Sequence, residues 1–149
     1  SNVIAEEATR HKILEEKPIK VFNFGNMRRD FTYIEDIVEA VFKCALKPPK
    51  SNVEFDRLNP DSSSSFAPYR IFNIGNGNPI ELGHFIKLLE ENLDKKALLI
   101  YEELQPGDVV STLSDVKLLK NWINYKPNVM IEEGVYKFCK WFKTYHKSR

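Results

Sequence analysis

Soft-ligand chemistry is nearly absent from these 149 residues, which hold two cysteines and three histidines. Cys44 and Cys139 each sit inside an amphipathic helical pattern, which fits small buried hydrophobes in a reducing compartment better than a disulfide framework. His11, His84 and His146 lack an i, i+4 partner and a neighbouring cysteine, so no metal site is expected. Ser111, Thr112 and Ser114 have no adjacent histidine, which leaves nucleophilic catalysis without support. No apolar run approaches the ~20 residues that a membrane helix needs. Charge of one sign is missing too: 22 basic against 21 acidic side chains leave +1, which argues against nucleic acid and against a polybasic membrane anchor. The N-terminus has no signal-peptide architecture, Ser1-Asn2 reads as a vector-derived remnant, and the cytoplasm is the expected compartment. What is there is one domain's worth of ordinary composition, 42% hydrophobic and 29% charged.

Helical and extended patterns alternate along the chain, which argues α/β packing. Residues 4–16 are rich in helix formers with a thin apolar stripe, so a surface helix stopped at Lys17-Pro18 is expected. Ile19 to Phe22 alternates as a short strand, and Gly25 suits the turn that follows. Positions 34, 37, 38, 41, 42 and 45 form a wide apolar stripe over a helix from Ile34 to Leu46, ended by Lys47-Pro48-Pro49. Asn59-Pro60-Asp61 and four serines mark Lys50 to Pro68 as a solvent loop. Tyr69 to Ile74 is strongly β-like. A helix then runs to about Leu93, with Leu82, Phe85, Ile86, Leu89 and Leu93 on one face. Ala97 to Tyr101 is again extended. Ser114 can cap a short helix over 115–122, Asn124 suits a left-handed C-terminal cap, and a last helix over 131–146 carries Ile131, Val135, Phe138, Phe142 and Tyr145 as its stripe.

Three stretches carry candidate chemistry. The first is Gly25 to Asp36, where Arg28-Arg29 follow a glycine turn and Phe31/Tyr33 alternate with Asp30/Thr32 as a short extended piece. Arginine clamps phosphate well because its planar fork donates two parallel charge-assisted hydrogen bonds. For an arbitrary Arg-Arg-Asp, a charged turn with a buried aromatic anchor is the commoner outcome. The second is Gln105-Pro106-Gly107-Asp108, whose amide and carboxylate lie near hydroxyls and can address a ribose or uracil edge, although composition alone favours a structural turn. The third, Asn73-Ile74-Gly75-Asn76-Gly77, holds GxG, but position 80 is Ile rather than Gly, so it reads as a tight turn and not a dinucleotide fingerprint.

The string Met27-x-Arg29-Asp30-Phe31-Thr32-Tyr33-Ile34-x-Asp36 resembles the signature of the extended short-chain dehydrogenase/reductase epimerases acting on nucleotide sugars. Ala67 to Asn76 and Gln105 to Val109 match that family in the same order, and the resemblance runs from about Ile13 to Phe142. The Pro- and Ser-bearing insertion and the glutamine at 105 are similar to the bacterial UDP-glucuronate 4-epimerases. The resemblance implies an α/β, Rossmann-type fold, of which residues 1–149 are the single C-terminal substrate-binding region, with a variable loop at about 48–68 and the N-terminal dinucleotide-binding half missing. It implies that Arg29 grips the diphosphate and that Asp108 and Gln105 close over the nucleotide. Phe22 and Lys20 would present backbone groups to uracil from the strand, with Ile80 lining the base pocket. The complete protein would be a homodimer interconverting UDP-glucuronate and UDP-galacturonate at C4, by hydride transfer to bound NAD and return to the opposite face of a 4-keto intermediate. The family's GxxGxxG loop and Tyr-x-x-x-Lys pair are absent here. Tyr136-x-x-x-Lys140 has the spacing without the context and reads as a chance match on a packing helix. No catalytic or cofactor-binding residue is therefore expected in this chain, and NAD would belong to the other half. An exposed apolar patch, drawn from Ile34–Leu46 and Tyr69–Ile74, is expected where that half docks. A non-catalytic nucleotide- or protein-binding module of the same ancestry, or another NAD-dependent epimerase or dehydratase, are the competing readings.

Overall fold

The computed structural model describes residue 9 and residues 11–147, with side chains to 145. In chain order the elements are strand β1 (Ile19–Val21), a 3-10 turn (Phe22–Gly25), strand β2 (Arg28–Arg29), helix α1 (Ile34–Leu46), strand β3 (Ile80–Glu81), helix α2 (Leu82–Leu93), strand β4 (Leu99–Tyr101), and helices α3 (Lys117–Ile123) and α4 (Ile131–Lys147). They form two compact units. The first takes the chain up to Phe31, Asn78–Thr112 and the residues from Met130 onward; the second takes Thr32–Gly77 and Leu113–Val129.

In the first unit β1 runs parallel to β4, and β2 antiparallel to β3. The 3/4 spacing expected of α2 does its work here, because Phe85, Ile86, Leu89 and Leu93 are all buried. Against them pack Ile19, Val135 and Cys139, and Phe31 stacks on Phe85 with ring centroids 4.5 Å apart. Ile13 joins this cluster at 1% exposure, so the first helix is docked rather than superficial where it is described. The remainder of that expected helix, residues 4–8 and Arg10, lies outside the described residues. Along α4 Val135 and Phe142 are buried and Ile131 packs against the cluster as expected, while Cys139 takes the inward place expected of Phe138 and Tyr145 is exposed. Phe22 is not in the strand. It opens the 3-10 turn, where Asn23 (φ 49) and Phe24 (φ 51) are left-handed and Gly25 follows at φ 85, reversing the chain within four residues.

The second unit is smaller. Leu119, Tyr125 and Ala40 form its core with Cys44, Phe72, Ile74, Val116 and Ile123. Burial raises the Cys44 thiol above its ordinary pKa. Helix α1 has the expected extent, but its wide stripe turns outward: Ile34, Val38, Val41, Phe42 and Leu46 are exposed, and Asp36 and Ala40 are the buried positions. Asp36 is held there by the backbone N–H groups of Asn128 (2.9 Å) and Val129 (3.2 Å), so its carboxylate is satisfied by main chain. Ser114 is not the cap of α3, which begins after Val116; Asp115 Oδ1 instead accepts the N–H of Lys117 at 3.0 Å. Asn124 caps its C-terminus at φ 52, as expected. Tyr69 to Ile74 forms no strand beyond a single bridge from Arg70 to Ser64. A strand is defined by its partner, and among the described residues 71–76 have none. No described helix is long and apolar enough to cross a membrane.

Candidate functional site

The six residues expected to recognise substrate all fall in the first unit. Strand β2 is the strut of the site. On one side Arg28 and Arg29 pair with Glu81 and Ile80 of β3. On the other, Arg28 N–H donates to Val110 O (2.9 Å) and Thr112 N–H to Arg28 O (3.2 Å), a parallel bridge centred on Ser111. The hydroxyl of Thr112 accepts the N–H of Asp30 at 3.1 Å, which fixes the backbone one residue beyond the clamp arginine. Two short segments about 80 residues apart are thereby locked in register.

That register brings Asp108 to Arg29. The turn at 105–108 closes through Asp108 N–H to Gln105 O (3.1 Å), with Gly107 at φ 86, a conformation that a side chain would strain. Arg29 Nη1 donates to Arg28 O (2.9 Å) and Val110 O (3.2 Å), and Nη2 to Asp108 Oδ1 (3.1 Å). The guanidinium is 17% exposed and the carboxylate 34%. Arg28 is different: its side chain is exposed and meets only Pro79 O, at 3.1 Å.

The other four residues are placed less tightly. Ile80 is half-buried on β3, opposite Arg29. Lys20 points its ammonium to Glu102 at 2.8 Å. Its backbone is the informative part. Ile19 N–H donates to Leu98 O and Glu102 N–H to Val21 O, so residues 19 and 21 face β4 and the polar groups of Lys20 face the opposite, strand-free edge. Phe22 is half-buried at the start of the turn, and Gln105 is exposed with its carbonyl engaged in its own turn. Among the described residues no hydrogen bond or ion pair joins Lys20, Phe22 or Gln105 to Arg29. A groove of about 280 Å³ between the 22–25 turn, α2 and Tyr101 is lined by none of the six. Thr112 and the carbonyls of Arg28 and Val110, which sequence reasoning missed as structural partners, are what hold the clamp; only the Gln-Pro-Gly-Asp…Thr spacing hinted at Thr112.

Whether these residues could cradle a dinucleotide is answered at Gly77. A Cβ there would meet Val116 Cγ2 at 3.7 Å and Ser114 O at 3.9 Å, so the turn packs on its own chain and offers no phosphate a close approach. Helix α2 begins only at Leu82. The turn at 75–77 therefore does not fit the dinucleotide loop of the cofactor.

The mixed α/β chain has the fold of the Rossmann-type epimerases. The family model of the NAD dependent epimerase/dehydratase family matches residues 5–80, half of the chain, and the chain belongs to that family. It is 44% identical over 135 residues to protein CapI of Staphylococcus aureus, covering 91% of this chain and 40% of that protein. It is 37% identical to a probable UDP-glucuronate 4-epimerase of Rhizobium meliloti, over 85% of this chain and 37% of the relative. The chain thus spans about two fifths of the length of these relatives. The solved Bacillus cereus UDP-glucuronic acid 4-epimerase, in complex with UDP-glucuronic acid and NAD, superposes with a TM-score of 0.67 at 24% identity, over 90% of this chain and 38% of that one. That likeness establishes the fold.

Proposed function

We propose that this chain is the sugar-nucleotide-recognising, C-terminal part of a longer NAD-dependent 4-epimerase that interconverts UDP-glucuronate and UDP-galacturonate. The observation that carries the reading is the partly buried Arg29 guanidinium, held on a strut with donors to spare. Such a group presents positive charge in a fixed plane, as a diphosphate requires. Gln105 and Asp108 sit on the adjoining turn and address the nucleotide, the outward backbone groups of Lys20 suit an amide-like base edge, and Ile80 and Phe22 supply apolar walls. The relatives named for glucuronate epimerisation favour that sugar. NAD supplies the redox chemistry at C4 when bound, and it is held by the remainder of the longer protein, whose packing surface is the outward stripe of α1. The complete enzyme is a cytoplasmic homodimer with no nucleic-acid partner. The test is direct: the complete protein is incubated with UDP-glucuronate and the product is resolved by chromatography. UDP-galacturonate is expected; return of a 4,6-dehydrated sugar or of unchanged substrate overturns the reading.

A further inference from the structure

We propose that the hydroxyl of Thr112 is a positioning residue for Arg29: it holds closed the gap between two chain segments that the guanidinium spans, and so sets the plane offered to a diphosphate. The inference rests on the reading of Arg29 as the phosphate clamp and adds to it a residue that acts through the backbone. Strand β2 is two residues long, and its pairing with β3 ends at Arg29. Its other edge begins a parallel ladder, with Arg28 N–H on Val110 O and Thr112 N–H on Arg28 O. In a regular parallel ladder the N–H of residue 30 would donate next to the carbonyl of residue 112. It donates instead to Thr112 Oγ1, at 3.1 Å. The side chain stands in for the main-chain acceptor at the point where the ladder stops.

Arg29 Nη1 lies across this same junction. One of its bonds goes to Arg28 O in β2 (2.9 Å) and the other to Val110 O in the facing segment (3.2 Å). If the two segments part, the two acceptors part with them, and a planar fork cannot follow both. Three bonds resist that: the two of the ladder, and the one to Thr112 where the chain leaves the strut. Phe31 is anchored by its stack on Phe85, but a ring contact has no direction at the amide and does not orient the peptide between residues 29 and 30. Threonine suits the task because its β-branched side chain has few rotamers, and half-burial limits competition from water for the Asp30 N–H. The remaining donors of the guanidinium, Nε–H and one N–H of Nη2, have no acceptor among the described residues, so its plane decides where they point.

The experiment titrates UDP and uridine separately into the complete protein and into its Thr112→Val, Thr112→Ser, Arg29→Ala and Thr112→Val/Arg29→Ala variants, with circular dichroism confirming that each is folded. Thr112→Val keeps the shape and loses the acceptor. It is expected to weaken UDP about tenfold and to leave uridine unchanged. Thr112→Ser, which keeps the hydroxyl, is expected to bind UDP like the wild type, and the double variant no more weakly than Arg29→Ala alone. If Thr112→Val does not fold, Thr112→Ala, which admits water to the Asp30 N–H, takes its place with the same expectations. Equal losses for UDP and uridine, no rescue by serine, or additive losses in the double variant would each overturn the proposal. A complete protein that binds no UDP, or Arg29→Ala that binds it normally, overturns the clamp reading and this inference with it. The expected loss in Arg29→Ala, with UDP unchanged in Thr112→Val, overturns this inference alone.

Discussion

Helices α1 and α2 have similar apolar stripes at 3/4 spacing, and the two units of this protein treat them in opposite ways. In the first unit α2 turns its stripe inward and Leu89 is 0% exposed; in the second, α1 turns its stripe outward and Phe42 is 63% exposed. The inward face of α1 is made of Ala40 and the satisfied carboxylate of Asp36. A periodic pattern identifies which face of a helix is apolar. It does not say whether the same chain covers it. The first unit carries the candidate site on a closed core. Among the described residues the second leaves a helix face exposed and an extended run without a strand partner.

The largest effect expected from that difference is on chemistry. The chain alone should show no turnover of UDP-glucuronate and should retain no NAD after gel filtration, because the turn at 75–77 packs on Val116 and Ser114 rather than opening toward a phosphate. Measurable formation of UDP-galacturonate by the purified chain would contradict this.

Stability should then separate the two helices. Leu89→Ala empties a closed core and is expected to cost about 2–5 kcal/mol in urea unfolding. Phe42→Ala removes a larger side chain from a surface already in water and should stay within about 0.5 kcal/mol. The same surface should bind an apolar dye and drive self-association at high concentration, and Phe42→Glu should suppress both. A strictly monomeric chain that binds no dye, or equal destabilisation by the two alanine changes, would remove the contrast.

How much of this was legible depended on where the cause lay. The extent of α1 was readable because Lys47-Pro48-Pro49 stops it locally, and Asn124 announced its left-handed cap for a reason internal to one residue. Tyr69–Ile74 reads as a strand by its residues, but pairing is a property of two segments, and among the described residues it makes only the single bridge from Arg70 to Ser64. Phe22 looked like strand because alternation continued through it, whereas the reversal at 23–25 comes from three consecutive left-handed residues. Ser114 is not the cap because α3 starts only at Lys117, behind an N-cap Val116 that has no side-chain acceptor to offer. Arg29 was picked out by resemblance, but its partners Val110 and Asp108 are about 80 residues distant and no local pattern links them to it.

Within the first unit, the two adjacent arginines offer a finer comparison. In the complete enzyme Arg29→Ala is expected to weaken UDP by about 2–4 kcal/mol, the range for losing one partner of a buried charge pair. Arg29→Lys should also be damaging, because an ammonium keeps the charge and loses the fork. Arg28→Ala should matter far less, since its exposed side chain meets only the Pro79 carbonyl. NAD content should be the same in all three. Calorimetric titration with UDP decides it, and equal losses for the two alanine variants would mean a diffuse basic patch.

The smallest effect contrasts one carboxylate from each unit. Glu90 lies in the last turn of α2, where the helix dipole disfavours negative charge, yet its carboxyl is held below the usual range, first by the Lys96 ammonium at 2.8 Å and then by the N–H of Ala97 at 2.8 Å. Lys96 is 85% exposed, so the ion pair adds little, and the bond that ties the chain after α2 back to the helix carries most of the effect. Asp61 in the second unit is also lowered, by the Ser63 backbone and hydroxyl, but its side chain is 57% exposed within a solvent loop. A depressed folded pKa contributes stability that is present above the unfolded carboxylate value of about 4.3 and is lost as pH falls through the folded value. Glu90→Gln should therefore cost about 1 kcal/mol at pH 7, and the difference from wild type should fade below pH ~4. Asp61→Asn should leave the unfolding midpoint where it is at either pH. Urea denaturation of both variants at pH 7 and pH 3 measures this. A Glu90→Gln deficit that persists undiminished in acid would show that the amide, not the lost charge, causes it, and a deficit in Asp61→Asn would place structural weight on the loop that its exposure denies.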